Sequence, residues 1–278
     1  MPHSKSSQSS REKILIITGE DARHQYFVNR LNALFPLSAV LTETSAYPEP
    51  IAHSDEEQKS WDWFFARRKI YEDKTFGPTN RISTSNNPPH IKIPKGKLNA
   101  PETVEILNRF QPEFIAVFGT GLLGRVILDF YPNQIFNLHV GLPRFYRGSS
   151  CNFWPIHNGR PEELGASIHL TNSGIDTGNI AAQAFIELDE DDDEQSLAGK
   201  TLITGIDLMI SVIQNWSDGD LKFIPSDKTG KLYLRKDFTP EAILRVRRMV
   251  ESGKLKRQLI RIRDNQRSGQ EGKGCPDG

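Results

Sequence analysis

Asn137 and His139 stand two residues apart where an apolar run over residues 134–139 ends. In a strand, that spacing puts both side chains on one face of the sheet. Open parallel sheets bind ligands in the crevice outside the carboxyl ends of their strands, so the pair is placed to face a cleft. An amide donor beside an imidazole suits the stabilisation of an oxyanion developing on a carbonyl. Alone, an Asn-x-His pair is more often structural than catalytic.

Two further segments carry reactive or binding groups. Gly174-Ile-Asp-Thr-Gly178 sets the Asp176 carboxylate in a tight turn between two expected strands, 165–171 and 179–188. Flanking glycines permit backbone conformations that a Cβ forbids, so the carboxylate can be pushed toward a neighbour. By itself such a turn is common. Gly141-Leu-Pro-Arg-Phe-Tyr-Arg-Gly148 makes a shaped loop directly after His139, and its Arg144 and Arg147 suit anionic or sugar-like groups.

The elements that must position these residues follow from periodicity. The β-branched run Ile14-Leu-Ile-Ile-Thr18 reads as a buried strand. A helical spacing over 24–35 and a second strand over 37–42 follow it. Strand, helix, strand in that order argues for a parallel sheet. A helix over 101–110, a strand over 114–118, a helix over 122–130 and a long helix over 194–216 continue the pattern. The expected class is α/β: a Rossmann-like, mostly parallel twisted sheet with helices on both faces.

The expected organisation is a disordered Ser-rich start at 1–12, a catalytic unit at 13–216, a small hairpin and helix at 217–264 and a flexible tail at 265–278. The hairpin pairs 221–224 with 231–234, and the helix runs over 240–262. Within the catalytic unit, 46–99 reads as a long insertion with one amphipathic helix near 56–71. Its Trp61, Trp63, Arg67 and Arg68 either pin it to the core or clamp a nucleotide.

Among 278 residues, 35 Lys and Arg balance 35 Asp and Glu, so there is no global push toward nucleic acid. The basic block at 254–267 reads as a solvated helix. No apolar run approaches the roughly 20 residues that span a bilayer, and no signal segment opens the chain, so a cytoplasmic protein is expected. Cys151 and Cys275 give neither a disulfide framework nor a zinc pattern, and no cluster has metal-ligand spacing. Thr18-Gly-Glu-Asp-Ala22 lacks the second and third glycines of a dinucleotide loop. The acidic run at 190–194 reads as a cap on the following helix. His157 and His169 read as structural.

Taken together, Phe136-Asn-Leu-His139, Leu142-Pro143, Tyr146-Arg-Gly148, Trp154-Pro-Ile156, Gly165-Ala-Ser-Ile-His169 and Gly174-Ile-Asp-Thr-Gly-Asn-Ile180 are similar in order and spacing to the 10-formyltetrahydrofolate-dependent formyltransferase family. That family includes methionyl-tRNA formyltransferase, glycinamide ribonucleotide transformylase and the sugar N-formyltransferases. The resemblance covers residues 100–216 well and 13–42 in outline. It implies formyl transfer from 10-formyltetrahydrofolate, a co-substrate, to a primary amine without a metal. It puts the family's catalytic Asn, His and Asp on Asn137, His139 and Asp176. Its folate pocket falls on Phe118, Gly119, Thr120, Gly121, Leu122, Leu123 and Ile175.

Where the family usually has a Ser-Leu-Leu-Pro run after the His, this chain has Val140-Gly-Leu-Pro143, without the Ser. On the acceptor side, Arg144, Tyr146, Arg147, Gly148 and Tyr233 are the candidates. The short segment after residue 216 resembles the tail of sugar-type members, which makes an amino sugar, free or nucleotide-linked, the expected acceptor. Aminoacyl, peptide and ribonucleotide amines, or a silent binding module, are the alternatives. A homodimer is compatible with the sequence.

Overall fold

The structure, a computed structural model, describes residues 13–44, 50–77 and 87–271, with side chains as far as residue 265. The disordered start expected at 1–12 lies outside the described residues, as do residues 272–278 of the expected tail, whereas 265–271 are helical. β1 (Ile14–Thr18) leads through α1 (Ala22–Asn32) to β2 (Leu37–Glu43), and α2 (Asp55–Phe76) leads to β3 (His90–Ile93). α3 (Pro101–Phe110) precedes β4 (Phe114–Phe118), and the single turn α4 (Arg125–Leu128) precedes β5 (Ile135–His139). Then come β6 (Tyr146–Gly148), α5 (Trp154–His157), β7 (Gly165–Leu170), β8 (Ile180–Phe185) and the long α6 (Glu194–Ser217). β9 (Lys231–Tyr233), α7 (Pro240–Glu251) and α8 (Lys254–Glu271) complete the described chain.

Seven strands form one sheet in the order β3-β2-β1-β4-β5-β7-β8. The first five are parallel, while β7 and β8 run antiparallel. The direction of strand progression reverses between β1 and β4, which opens a crevice at their carboxyl ends.

Period-2 alternation divides the core. Ile14 and Ile16 of β1 join Phe27 and Leu31 of α1 and Ile206 of α6 on one face. Leu15 and Ile17 join Leu107 of α3 and Ile127 of α4 on the other. Every residue of β1, β2 and β4 is buried, as expected of parallel strands covered on both faces. α6 is long and apolar enough to cross a bilayer by composition alone. Its Leu202, Ile206, Met209 and Ile213 are instead buried in the sheet core.

Three expectations change. The stretch at 46–99 is built into the sheet: α2 is the crossover from β2, and β3 pairs with β2 as a parallel edge strand. Of that stretch, residues 46–49 and 78–86 lie outside the described residues. The expected C-terminal hairpin does not form. Ile224 bridges to Ile180 of β8, whereas β9 pairs in parallel with β6. The expected helix over 240–262 is two helices, which part at Gly253, where φ is +68°.

A third apolar cluster ties this C-terminal segment down. Phe64 of α2, Trp154 of α5, Tyr233 of β9, Ile243 and Val246 of α7 and Leu255 of α8 share it. Trp61, Phe64 and Phe65 each pack a ring against Phe238. The α2 aromatics therefore pin the crossover to the C-terminal segment. Arg67 donates to Glu194 at 2.6 Å and to Asp193 at 2.7 Å, and its guanidinium lies over Trp63. Asp193 in turn caps α6 by accepting from the backbone of Gln195 and Ser196.

Candidate functional site

β5 places Asn137 and His139 on the face that Ile135 shares with α3 and α4, because odd positions alternate with Phe136 and Leu138. β7 runs antiparallel beside β5 and sets His169 opposite Asn137. The β7–β8 turn then returns the chain to the same edge and presents Asp176. Asp176 takes φ +50°, a left-handed conformation that strains a non-glycine residue by on the order of 1–3 kcal/mol. The hydrogen bonds it makes offset that strain.

Asp176 is the hub of the site. Its Oδ2 lies 3.4 Å from His139 Nδ1 and accepts the Gly148 peptide N–H at 2.6 Å. Its Oδ1 lies 3.2 Å from His169 Nε2. The Asp176 side chain is only 10% exposed, and those of the two histidines 5% and 4%. Burial alone would raise the Asp176 pKa. The charges of His139 and His169, the hydrogen bond from His169 and the Gly148 N–H outweigh it and hold the carboxyl well below the usual range.

His139 has acceptors on both ring nitrogens, since its Nε2 is 3.1 Å from the Tyr146 carbonyl oxygen. A neutral imidazole has one N–H and can donate to only one of them, whereas the protonated ring satisfies both. Burial pushes His139 below its ordinary pKa, and the Asp176 charge opposes that shift. The ring thus rests neutral beside a carboxylate that stabilises its protonated form, the setting of a general base that must hold a proton briefly. Asn137 Nδ2 lies 3.2 Å from His169 Nε2.

The loop after His139 fits tightly around it. A Cβ on Gly141 would meet Cys151 Cβ at 2.6 Å and His139 Nε2 at 2.7 Å, so the glycine in Val140-Gly-Leu-Pro143 is a steric requirement. Ser167 Oγ donates to the Gly141 carbonyl at 3.0 Å and fixes the turn. Cys151 is 1% exposed, and burial followed by the Asp176 charge pushes its thiol well up, away from a nucleophile.

The loop at 118–123 follows β4, whose Val117 is in register with Asn137. Glu43 accepts the Gly121 N–H at 2.6 Å, and Asn99 holds Leu122 O and Gly124 N at 2.8 and 2.6 Å. Phe118 and Leu123 are buried, while Leu122 is 71% exposed and makes an apolar lip. Thr120, Gly121 and, in the β7–β8 turn, Ile175 are half-buried.

The acceptor-side candidates are placed differently. Tyr146 and Tyr233 are buried, with their hydroxyls held by Glu163 at 2.7 Å and Asn158 at 3.0 Å. Arg147 Nε donates to the Gly230 carbonyl. Arg144 alone stays exposed, its guanidinium 4.5 Å from the Phe145 ring centre and 5.0 Å from that of Phe185. Tyr146, Arg147, Gly148 and Tyr233 therefore build the wall behind His139 and Asp176. Sequence reasoning set His169 aside as structural. The signal for it was register: on an antiparallel β7, His169 falls opposite Asn137.

A match to the formyl transferase family model spans residues 72–213, slightly more than half of the chain, and the chain belongs to that family. It is 36% identical over 120 residues to the methionyl-tRNA formyltransferase of Finegoldia magna, covering 43% of this chain and 38% of that protein. The chain spans about half or less of the length of the curated relatives it matches. Among solved structures, a sugar N-formyltransferase from a Shewanella species aligns with a TM-score of 0.53 at 15% identity, over 84% of this chain and 87% of the other. A phosphoribosylglycinamide formyltransferase from Anaplasma phagocytophilum aligns with a TM-score of 0.55 at 12% identity, over 81% and 99%. These two likenesses establish a shared fold.

Proposed function

We propose that the protein transfers a formyl group from 10-formyltetrahydrofolate to a primary amine, in the cytoplasm, and that the amine belongs to an amino sugar carried on a nucleotide. The observation that carries the transfer is the cluster of Asn137, His139 and Asp176 at one sheet edge, inside a chain of the formyl transferase family. The folate, held by residues 118–123 and Ile175, would supply an activated formyl carbon.

Asn137 Nδ2 donates to the formyl oxygen as it gains charge on addition of the amine. The amine nitrogen forms its bond to the formyl carbon, the bond from that carbon to the folate nitrogen breaks, and one proton passes from the amine to the folate nitrogen. His139 carries that proton, and Asp176 stays ionised beside it. Asn137→Ala lowers turnover on the order of a hundredfold, the usual effect of removing one oxyanion donor.

The amino-sugar reading is supported by the segment after α6, which forms one short strand and two helices against the core. The balanced charge of the chain adds to that support. A second reading, the amine of an aminoacyl-tRNA, is favoured by the name of the Finegoldia magna relative. The deciding assay supplies 10-formyltetrahydrofolate with dTDP-linked 3-amino and 4-amino sugars in one arm and methionyl-tRNA in the other. Tetrahydrofolate release with a sugar supports the first reading. Release with methionyl-tRNA alone replaces it with the second. Release with neither acceptor, while 5-formyltetrahydrofolate still binds, sinks both.

A further inference from the structure

We propose that Gly148 is a positioning residue for Asp176 and that strand β9 holds it in place, so that residues 231–233 are part of the catalytic apparatus. The proposal rests on the reading of Asp176 as a catalytic group.

The Gly148 N–H donates at 2.6 Å to Asp176 Oδ2, the oxygen that faces His139 Nδ1. Gly148 sits at φ +92°, a conformation L side chains rarely adopt, and a Cβ there would lie 2.1 Å from the Tyr233 carbonyl oxygen. Glycine is therefore required twice at this position, by its dihedral and by the close approach of β9.

β9 clamps that peptide from several points. Gly148 is in register with Tyr233, and the Ser149 N–H donates to the Tyr233 carbonyl at 2.8 Å. The Lys231 N–H donates to Phe145 O and the Gly230 N–H to Pro143 O, each at 3.0 Å. From the other side, Trp154 stacks on Tyr233 at 4.2 Å and donates its indole N–H to Ser149 O at 2.8 Å. More than eighty residues of chain separate β6 from β9, yet the pairing fixes the one peptide that touches the hub carboxylate.

The consequence is chemical. The groups facing Asp176 are His139 from β5, His169 from β7, the Cys151 thiol and the Gly148 amide. The His139 imidazole changes charge as protons move, and the buried thiol supplies no charge. The Gly148 N–H is the donor whose strength does not change, so it keeps Asp176 ionised throughout the cycle.

Two variants and one spectrum test this. Gly148→Ala drives a methyl into the Tyr233 carbonyl, and Lys231→Pro removes a β9 donor while leaving β6 untouched. Each is expected to bind 5-formyltetrahydrofolate, to lose roughly tenfold or more in kcat with whichever acceptor supports turnover in the parent protein, and to move the acid limb of kcat upward by about half a pH unit or more. Folded variants with an unchanged acid limb and kcat overturn the proposal.

The spectrum needs no perturbation of β6 or β9. The Gly148 amide cross-peak of the full chain is expected to move upfield by roughly half a part per million or more in Asp176→Asn, as a charge-assisted hydrogen bond is lost. An unmoved peak overturns the proposal even where both variants fail to fold. Full turnover in Asp176→Asn would sink the catalytic reading of Asp176. Lost turnover there with an unmoved Gly148 peak would sink the positioning proposal alone.

Discussion

His169 Nε2 lies 3.2 Å from Asp176 Oδ1, the oxygen that His139 leaves free. One carboxylate thus bridges two imidazoles brought together from two strands. The other nitrogen of His169, Nδ1, is 3.0 Å from the Leu170 carbonyl, so both of its nitrogens also face acceptors. When Nε2 is protonated and donates to Asp176, Asn137 must turn its amide oxygen toward the ring and free its NH2 for substrate.

His169→Ala is expected to lower kcat by about tenfold while folate binding stays within a few-fold of the parent. Combined with Asp176→Asn it should add little further loss, because the two act as one unit. Steady-state kinetics on the two single variants and the double variant measure the coupling. Fully additive losses would mean that His169 acts apart from Asp176.

A second expectation concerns the resting charge of His139. Burial lowers its pKa below the ordinary 6.5, and Asp176 is the main opposing influence. Ring titration followed by nuclear magnetic resonance should therefore give a midpoint below 6.5 in the parent protein and a lower one still in Asp176→Asn. The sign for stability follows from linkage. The unfolded ring binds a proton more readily than the buried one, so this group draws stability away as pH falls below 6.5. A midpoint above 6.5 would contradict the resting state argued for catalysis.

Asp176 has a linkage of the same sign in a more acid window. Its folded pKa is depressed below the ordinary 3.8, so its contribution is fully present above that value and is lost as pH falls through the folded pKa. Asp176→Asn should destabilise the protein by on the order of 1–3 kcal/mol at pH 7, the range for a buried charge-assisted hydrogen bond. The gap between the two proteins should narrow in acid, below pH 4 or so. Urea titrations of both proteins at pH 7 and in acid check the sign. A gap that widens in acid would mean that the carboxyl is protonated in the native state.

The sequence made the central sheet and its polar edge readable for a local reason. β1, β4 and β5 are short apolar runs that stop at glycine or at polar residues, and a period of two put Asn137 and His139 on one face. What escaped depends on pairing at a distance. β3 has one buried residue, Ile93, in a strand of four, so it lacks the apolar run that marks its neighbours. Its parallel partner, β2, lies across a whole crossover. Leu221-Lys-Phe-Ile224 and Lys231-Leu-Tyr233 looked like each other's partners because they are close in sequence. Instead they pair with Ile180 and with β6. Tyr146 and Tyr233, expected on the acceptor side, are buried for a related reason, since the β6–β9 pairing brings both rings into the wall.

That wall makes the C-terminal segment a load on the stability of the whole protein. Ile243 of α7 is fully buried in the cluster that also holds Phe64 of α2, Trp154 of α5 and Tyr233 of β9. Ile243→Ala removes three carbons from a site where α2, α5 and α7 meet, and rigid neighbours on every side limit how far the cavity can collapse. A loss of about 2–5 kcal/mol is expected. If the segment folds as one unit with the sheet, chemical denaturation of Ile243→Ala should keep a single transition that moves to lower denaturant, with an unchanged slope. A separate early transition, with the sheet unfolding at the parental midpoint, would show instead that the appendage melts by itself and that β9 is not cooperative with the catalytic strand ends.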